Sequence, residues 1–312
     1  MSRSKIITLK SPRKQHIIPR SYLEHFADRG GRLFVYEVGK PIRASVPSKE
    51  AAERDFFEYK VSHDETQFKF EKALGRIESS AAAVHSKLLM RVTLSAEEMA
   101  AWAMYVATMF LRSRRVRDEL SVKLMEDDIA RWMSLAHFRD MQWAIYRDHG
   151  RLVPVKEIED AARRALGDYE IPAYRHIKAI TSSAPKLANL LLDRRWQIVE
   201  ASEGRSFPTC DAPAVSFQLV ENGLYEGFGW GLPNVHVALP LDPTKMFIAS
   251  PTDLAWHPEL DAQNTDLMNL LILKFADRHV YSHRESLELQ TIFSDQGRAL
   301  VFGENAFRAH RV

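Results

Sequence analysis

The segment AAWAMYVATMFL (residues 100–111) is apolar on nearly every side, and it follows Ser95 and Glu98, the two ends of a capping box. A helix with no polar face has to be buried all round, so the rest of the chain must wrap around it. The preceding stretch supplies one wall. Phe70, Leu74, Ile77, Ala81, Val84 and Leu88 are spaced 4, 3, 4, 3, 4, which draws one apolar stripe along an amphipathic helix over 65–89. A long helix is expected over 118–148 with Gly150 as its stop. Others are expected at EIEDAARRAL before Gly167 and at PKLANLLLDRR (185–195).

The period then changes from helical to alternating. WQIVEA (196–201), FPTCD (207–211), VHVAL (235–239), KMFIAS (245–250) and HVYS (279–282) read as strands, with a helix over 261–276 laid among them. Asn222-Gly223, Pro233-Asn234 and Asp242-Pro243 supply turns between them. Near the start, RLFVYEVG (32–39) reads as one arm of a hairpin, and Ser48 as the cap of a short helix reaching Phe57. The expected class is α+β: a helical N-terminal two-thirds packed on a C-terminal mixed or antiparallel sheet. Residues 1–195 and 196–312 are read as two parts of one compact unit.

Composition excludes several classes. Hydrophobic residues make up 46% of the 312 and charged residues 27%, a globular balance and not a disordered one. The single cysteine, Cys210, rules out an intrachain disulfide or a cysteine-based zinc site. No apolar run approaches a membrane span and the first residues are not a secretory leader, so a cytoplasmic protein with no membrane partner is expected. The chain nets only +2, yet residues 1–20 hold six basic residues and no acid. Such an arm can meet nucleic acid or simply serve as a solvated tail.

Several polar groups stand at element ends. In QHIIPRSYLEHF (15–26), Pro19 keeps His16 on extended backbone ahead of a helix, where an imidazole can ligate a metal or move a proton. HIIPRS looks like the opening of a ββα-metal endonuclease motif, but the downstream Asn and final His of that motif are missing. In ERDFFEY (53–59), Asp55 and Glu58 share a helix face if the segment is helical, and paired carboxylates hold divalent cations. Glu71, Glu78 and His85 are spaced by seven beside the apolar stripe, as an acidic ladder lining a cleft or as an ion-pairing flank. Arg112, Arg114, Arg115 and Arg117 suit phosphate, the negative end of a helix, or a carboxylate; an Arg112–Glu71 or Arg112–Glu78 pair is expected. Asp211 ends a strand before Ala-Pro, as a ligand or base or as an Asx turn. His279 and His283 stand four apart, too far along a strand to chelate one metal.

In order along the chain, QHIIPRSYLEHFAD, LFVYE, DFFE, RSRRVR, Trp196 leading into FPTCDAP, PLDP (240–243) and a helix carrying Asn269 and Arg278 into VYS resemble the bacterial domain-of-unknown-function family 4238. The sequence departs at Arg115, where that family often has Pro, and at Cys210, where it often has Ser, which argues against a cysteine nucleophile. The resemblance implies no established activity. It does mark His16, Asp55, Glu58, Arg112, Asp211, Asn269 and Arg278 as residues of the shared motifs, expected to converge.

Two functions compete. In the first, a nuclease or phosphodiesterase uses His16, Asp55, Glu58 and Asp211 to hold Mg²⁺ or Mn²⁺, with His16, Asp211 and Glu58 catalytic. Arg112, Arg114, Arg278 and Asn269 then bind substrate, and residues 1–20 with Arg112–Arg117 bind nucleic acid. In the second, a binding or regulatory protein, of a host-defence or mobile-element kind, uses the same groups as a buried ion-pair network. A third, a small-molecule site walled by GFGWG (227–231) and Trp256, has less to rest on.

Overall fold

The computed structural model describes residues 14–54, 65–132, 135–165, 173–220, 223–226, 229–251 and 255–302. The chain opens with β1 (Lys14–His16), α1 (Arg20–Glu24), β2 (Leu33–Glu37), β3 (Arg43–Ser45), a 3₁₀ turn (Pro47–Lys49) and β4 (Ala52–Arg54). Helices α2 (Glu65–Leu89), α3 (Ala96–Leu111), α4 (Arg114–Trp132), α5 (Leu135–His149), α6 (Val155–Ala165) and α7 (Ala173–Leu192) follow. Then come β5 (Arg195–Glu200), β6 (Thr209–Cys210), β7 (Val215–Val220), β8 (Gly223–Glu226), β9 (Val235–Pro240) and β10 (Lys245–Ser250). The chain closes with α8 (Ala262–Phe275), β11 (His279–Ser282), α9 (Leu287–Ile292) and α10 (Asp295–Phe302). The class is α+β.

Helix α3 is the buried axis its composition demands. Trp102, Ala103, Val106 and Ala107 have no exposed surface, and the Ser95–Glu98 capping box is formed in both directions. The stripe of α2 is buried as spaced, with Phe70, Leu74, Ala81, Val84 and Leu88 in one core with α3. Truncating a side chain such as Trp102 costs about 3–5 kcal/mol. Helix α7 packs along α3 and begins twelve residues before the expected Pro185, which lies inside it. Its Ile177, Ile180 and Ala184, ahead of the proline, are buried in the same core, so packing overrides the local cost of Pro185.

The central sheet, in the order β5-β10-β9-β7-β8, is antiparallel at every pairing. Alternation splits it between two cores. Phe247, Ala249, Val237 and Leu239 face the α2, α3 and α7 layer, while Met246, Ile248, Ala238 and Val199 face α8 through Met268, Leu271 and Ile272. A second sheet, β3-β2-β11-β6, takes two strands from residues 33–45 and two from the C-terminal third, so it draws on both sides of Arg195. Strands therefore do not gather only in the C-terminal third, because the LFVYE hairpin pairs with HVYS.

Other expectations change. Among the described residues no α-helix runs on from Ser48: Ala51 takes a left-handed φ of +49° after the 3₁₀ turn, and Ala52–Arg54 pairs with β1 as β4. Residues 55–57 lie outside the described residues. The helix expected over 118–148 starts at Arg114 and is described as α4 and α5. FPTCD forms a strand only at Thr209–Cys210. Among the described residues no helix is long and apolar enough to cross a membrane.

Candidate functional site

Helices α2 and α3 run antiparallel, and their facing edges carry a polar seam inside the apolar packing. His85 meets Trp102 at one end, with ring centroids 5.5 Å apart. Toward the other end, Arg112 Nη1 donates to Glu78 Oε1 at 2.5 Å, and Nη2 donates to the His16 carbonyl. Arg112 is 3% exposed, so the pair is desolvated on its cationic side. Of the two pairs expected for Arg112, the structure forms the one with Glu78. Glu71, one heptad back, feels Arg112 but also repulsion from Glu78. Burial is the main reason its carboxyl is held above the ordinary range. Its Oε1 is buried and accepts no hydrogen bond from the described residues. One guanidinium thus serves two carboxyl groups.

Where α1 crosses this seam, a small cleft forms between Ser21, Tyr22, His25, Glu78, Ala81, Ala82, His85 and Tyr105, with a volume of about 20 Å³. That is room for roughly one water-sized group. Ser21 and Ala82 are exposed at its rim, whereas Tyr105 and His85 are buried at its floor. His85 Nε2 lies 2.9 Å from the Leu241 carbonyl. A carbonyl only accepts, so Nε2 carries the proton and Nδ1 the lone pair. Burial, with His25 beside it at 4.0 Å between centroids, lowers the His85 pKa to about 3, so the ring is neutral at pH 7. Burial lowers His25 too, against the pull of Asp242 and Glu24. The Tyr105 hydroxyl, on a residue 4% exposed, has no hydrogen-bond partner among the described residues. Burial, then the Glu78 charge, pushes its pKa far up, so it stays a neutral phenol.

The wall of this cleft is also where three of the shared motif segments meet. The Tyr22 hydroxyl donates to the Pro240 carbonyl at 2.8 Å, which leaves Thr209 to donate its own hydroxyl to Tyr22 at 2.9 Å. SYLEH, FPTCDAP and PLDP are thereby tied together by one phenol.

A second polar cluster lies at the α8–β11 corner. The Asp211 carboxylate accepts three backbone N–H groups: Asp277 at 2.8 Å, Arg278 at 2.7 Å and His279 at 2.9 Å. These donors follow α8 where its helical bonding ends, so one carboxylate fixes the turn from helix to strand. His279 lies between Asp211 (3.7 Å) and Glu37 (3.6 Å). Burial opposes its charge, but Asp211, Glu37 and Glu50 outweigh it and raise its pKa. Glu50 is held by Arg43 through two bonds, 2.6 and 2.7 Å, and by Ser45.

The sequence-predicted residues fall into two groups. His16 and Arg112 belong to the α2–α3 seam. Asp211, Arg278 and Arg114, whose Nε is 3.8 Å from Asp277, belong to the α8–β11 corner. Arg112 and Arg114 are two residues apart, so the α3–α4 junction links the groups. Asn269 stands apart and donates to the Ser206 carbonyl at 3.0 Å. Arg115 caps α8: it donates to the Lys274 carbonyl at 3.2 Å and stacks over Phe275 at 4.3 Å. Asp55 and Glu58 lie outside the described residues. Cys210 is buried, and burial pushes its thiol well up, so it is a packing residue. Trp230 packs on Phe110 in the helical-side core, whereas Trp256 joins Phe217 and His236 in the α8-side core, so they form no common wall. Among the described residues, no three His, Cys, Asp or Glu side chains group so as to hold a metal ion.

Sequence reasoning passed over His25 and Tyr105. Both had a signal: His25 is four residues from Ser21 in the SYLEH motif, and Tyr105 is seven from Arg112, the same spacing that links Glu71, Glu78 and His85. No curated protein and no solved structure matches the chain. The family described as "Protein of unknown function (DUF4238)" matches residues 14–286, nearly the whole described fold, and the chain belongs to that family.

Proposed function

We propose that this protein works by binding, as a ligand-sensing or regulatory module, with the α1–α2–α3 cleft as its working site. The observation that carries the reading is the difference in how its polar groups are occupied. Asp211, Arg112, Arg115 and Asn269 each hold another segment of the chain through internal hydrogen bonds. The cleft, by contrast, presents a phenol with no hydrogen-bond partner among the described residues, and a lone pair on a neutral imidazole, at the meeting point of the shared motifs. Binding sites concentrate such convergent, incompletely satisfied polar groups.

A metal-dependent nuclease or phosphodiesterase is the second reading. What it has for it is that β1 and β4 are neighbours: the chain entering Asp55 leaves the ladder at Arg54, opposite Lys14, while His16 stands opposite Ala52 at the other end. In it, His16, Asp55, Glu58 and Asp211 are the candidate ligands for Mg²⁺ or Mn²⁺. Arg278, 55% exposed at its side chain, and the basic residues of 1–20 are the candidate nucleic-acid contacts. The test incubates the full chain with labelled DNA and RNA in Mg²⁺ or Mn²⁺. The binding reading expects no cleavage above a protein-free control. Cleavage that needs the metal and vanishes in Asp55→Ala or Glu58→Ala, at unchanged melting temperature, establishes the second reading instead.

A further inference from the structure

The cleft itself indicates what it takes. Its floor and wall are rich in acceptors: the His85 Nδ1 lone pair and the Glu78 carboxylate accept only, while the Tyr105 and Ser21 hydroxyls can do either. Among the described residues no Lys or Arg lines it, and the neighbouring Arg112 is committed to Glu78 and the His16 carbonyl. Behind the wall, Glu71 shares that one guanidinium with the lining Glu78, so the neighbourhood is short of positive charge. An anion finds nothing to neutralise it there. A metal ion finds no three-ligand set among the described residues. A donor-only cation the size of a water molecule fits both the volume and the charge, and the Tyr22 and His25 rings give it aromatic surroundings.

We propose that this cleft binds a primary ammonium group, inserted past Ser21 and Ala82 so that its N–H groups reach Tyr105, Glu78 and His85. The ligand class is an amine with a slender tail, either a free polyamine or a lysine side chain of a partner. The proposal rests on the binding reading above and names the ligand of that site.

The test follows the His25 and His85 ring resonances by NMR in the full chain with ¹⁵N-labelled histidine. Methylammonium chloride is titrated at constant ionic strength, against tetramethylammonium and sodium chloride. A saturable shift of both rings with methylammonium alone is expected. Tyr105→Phe, which removes only a hydroxyl without a hydrogen-bond partner among the described residues, should weaken that affinity about tenfold without moving the melting temperature by more than a few degrees. Spermidine and Nα-acetyl-lysine methylamide then separate the two sources of the amine. Equal responses to methylammonium and tetramethylammonium, no saturation, or unchanged affinity in Tyr105→Phe would overturn the proposal. None of these results produces metal-dependent cleavage, so a failure here is distinct from a failure of the binding reading.

Discussion

Asp211 and Glu71 are both partly buried carboxyl groups beside a cationic side chain, and the protein treats them in opposite ways. Asp211 accepts three backbone N–H groups and ties β6 to the start of β11. Glu71 has a buried oxygen with no donor among the described residues and shares Arg112 with Glu78. The first arrangement is scaffold, since every interaction it offers is used to hold two chain segments. The second leaves electrostatic capacity unspent next to a cleft. A polar residue in a shared motif is thus not evidence of chemistry until its partners are known.

Acid should strain the molecule most. His85, His176 and His236 are buried neutral, with pKa values lowered by burial to about 3, 4 and 4. In the unfolded chain each titrates near 6.5, so below that pH the unfolded state takes up protons the folded state refuses. Their stability contribution is intact above pH 6.5 and falls at about 1.4 kcal/mol per pH unit for each histidine. Denaturant titrations at pH 6.5 and pH 5 should differ by about 5 kcal/mol, and His85→Asn should shrink the gap.

Arg112→Ala comes next. It leaves the partly buried Glu78 and the His16 carbonyl without their donor and should cost about 3–5 kcal/mol at unchanged m-value. A loss under about 1 kcal/mol would mean that the seam is solvated and the comparison mistaken. The smallest effect belongs to the other cluster. His279 has a raised pKa, so its contribution is complete below its unfolded value, near 6.5, and is lost as the pH rises through its folded value. Stability should therefore decline as the pH rises from the unfolded value through the folded one, and His279→Gln should remove that decline.

Much of this architecture was legible as pattern. The seven-residue spacing of Glu71, Glu78 and His85 placed them on one edge of α2, and the all-round apolarity of α3 required its burial. That Arg112 pairs with Glu71 or Glu78 followed from a cation set directly behind MFL, and the fold selects Glu78. Periodicity could not tell whether Asp211 was a ligand or a clamp, because its three donors come from residues 277–279, far along the chain. Nor could it show that Tyr22 joins α1 to Thr209 and Pro240. The misread segment after Ser48 has a local cause. Helical capping signals there compete with a left-handed Ala51 and the strand pairing of Ala52–Arg54, and tertiary pairing prevails.

The contrast between the two carboxyl groups is tested most directly by neutralising each in turn and measuring unfolding free energy at pH 7. Asp211→Asn should destabilise by about 2–3 kcal/mol, since an amide presents N–H to backbone N–H. Glu71→Gln should be neutral or stabilising, by up to about 1 kcal/mol, because it removes a desolvated charge that has no donor of its own. If both substitutions destabilise by similar amounts, Glu71 is scaffold like Asp211 and the cleft has no unspent charge to offer a ligand.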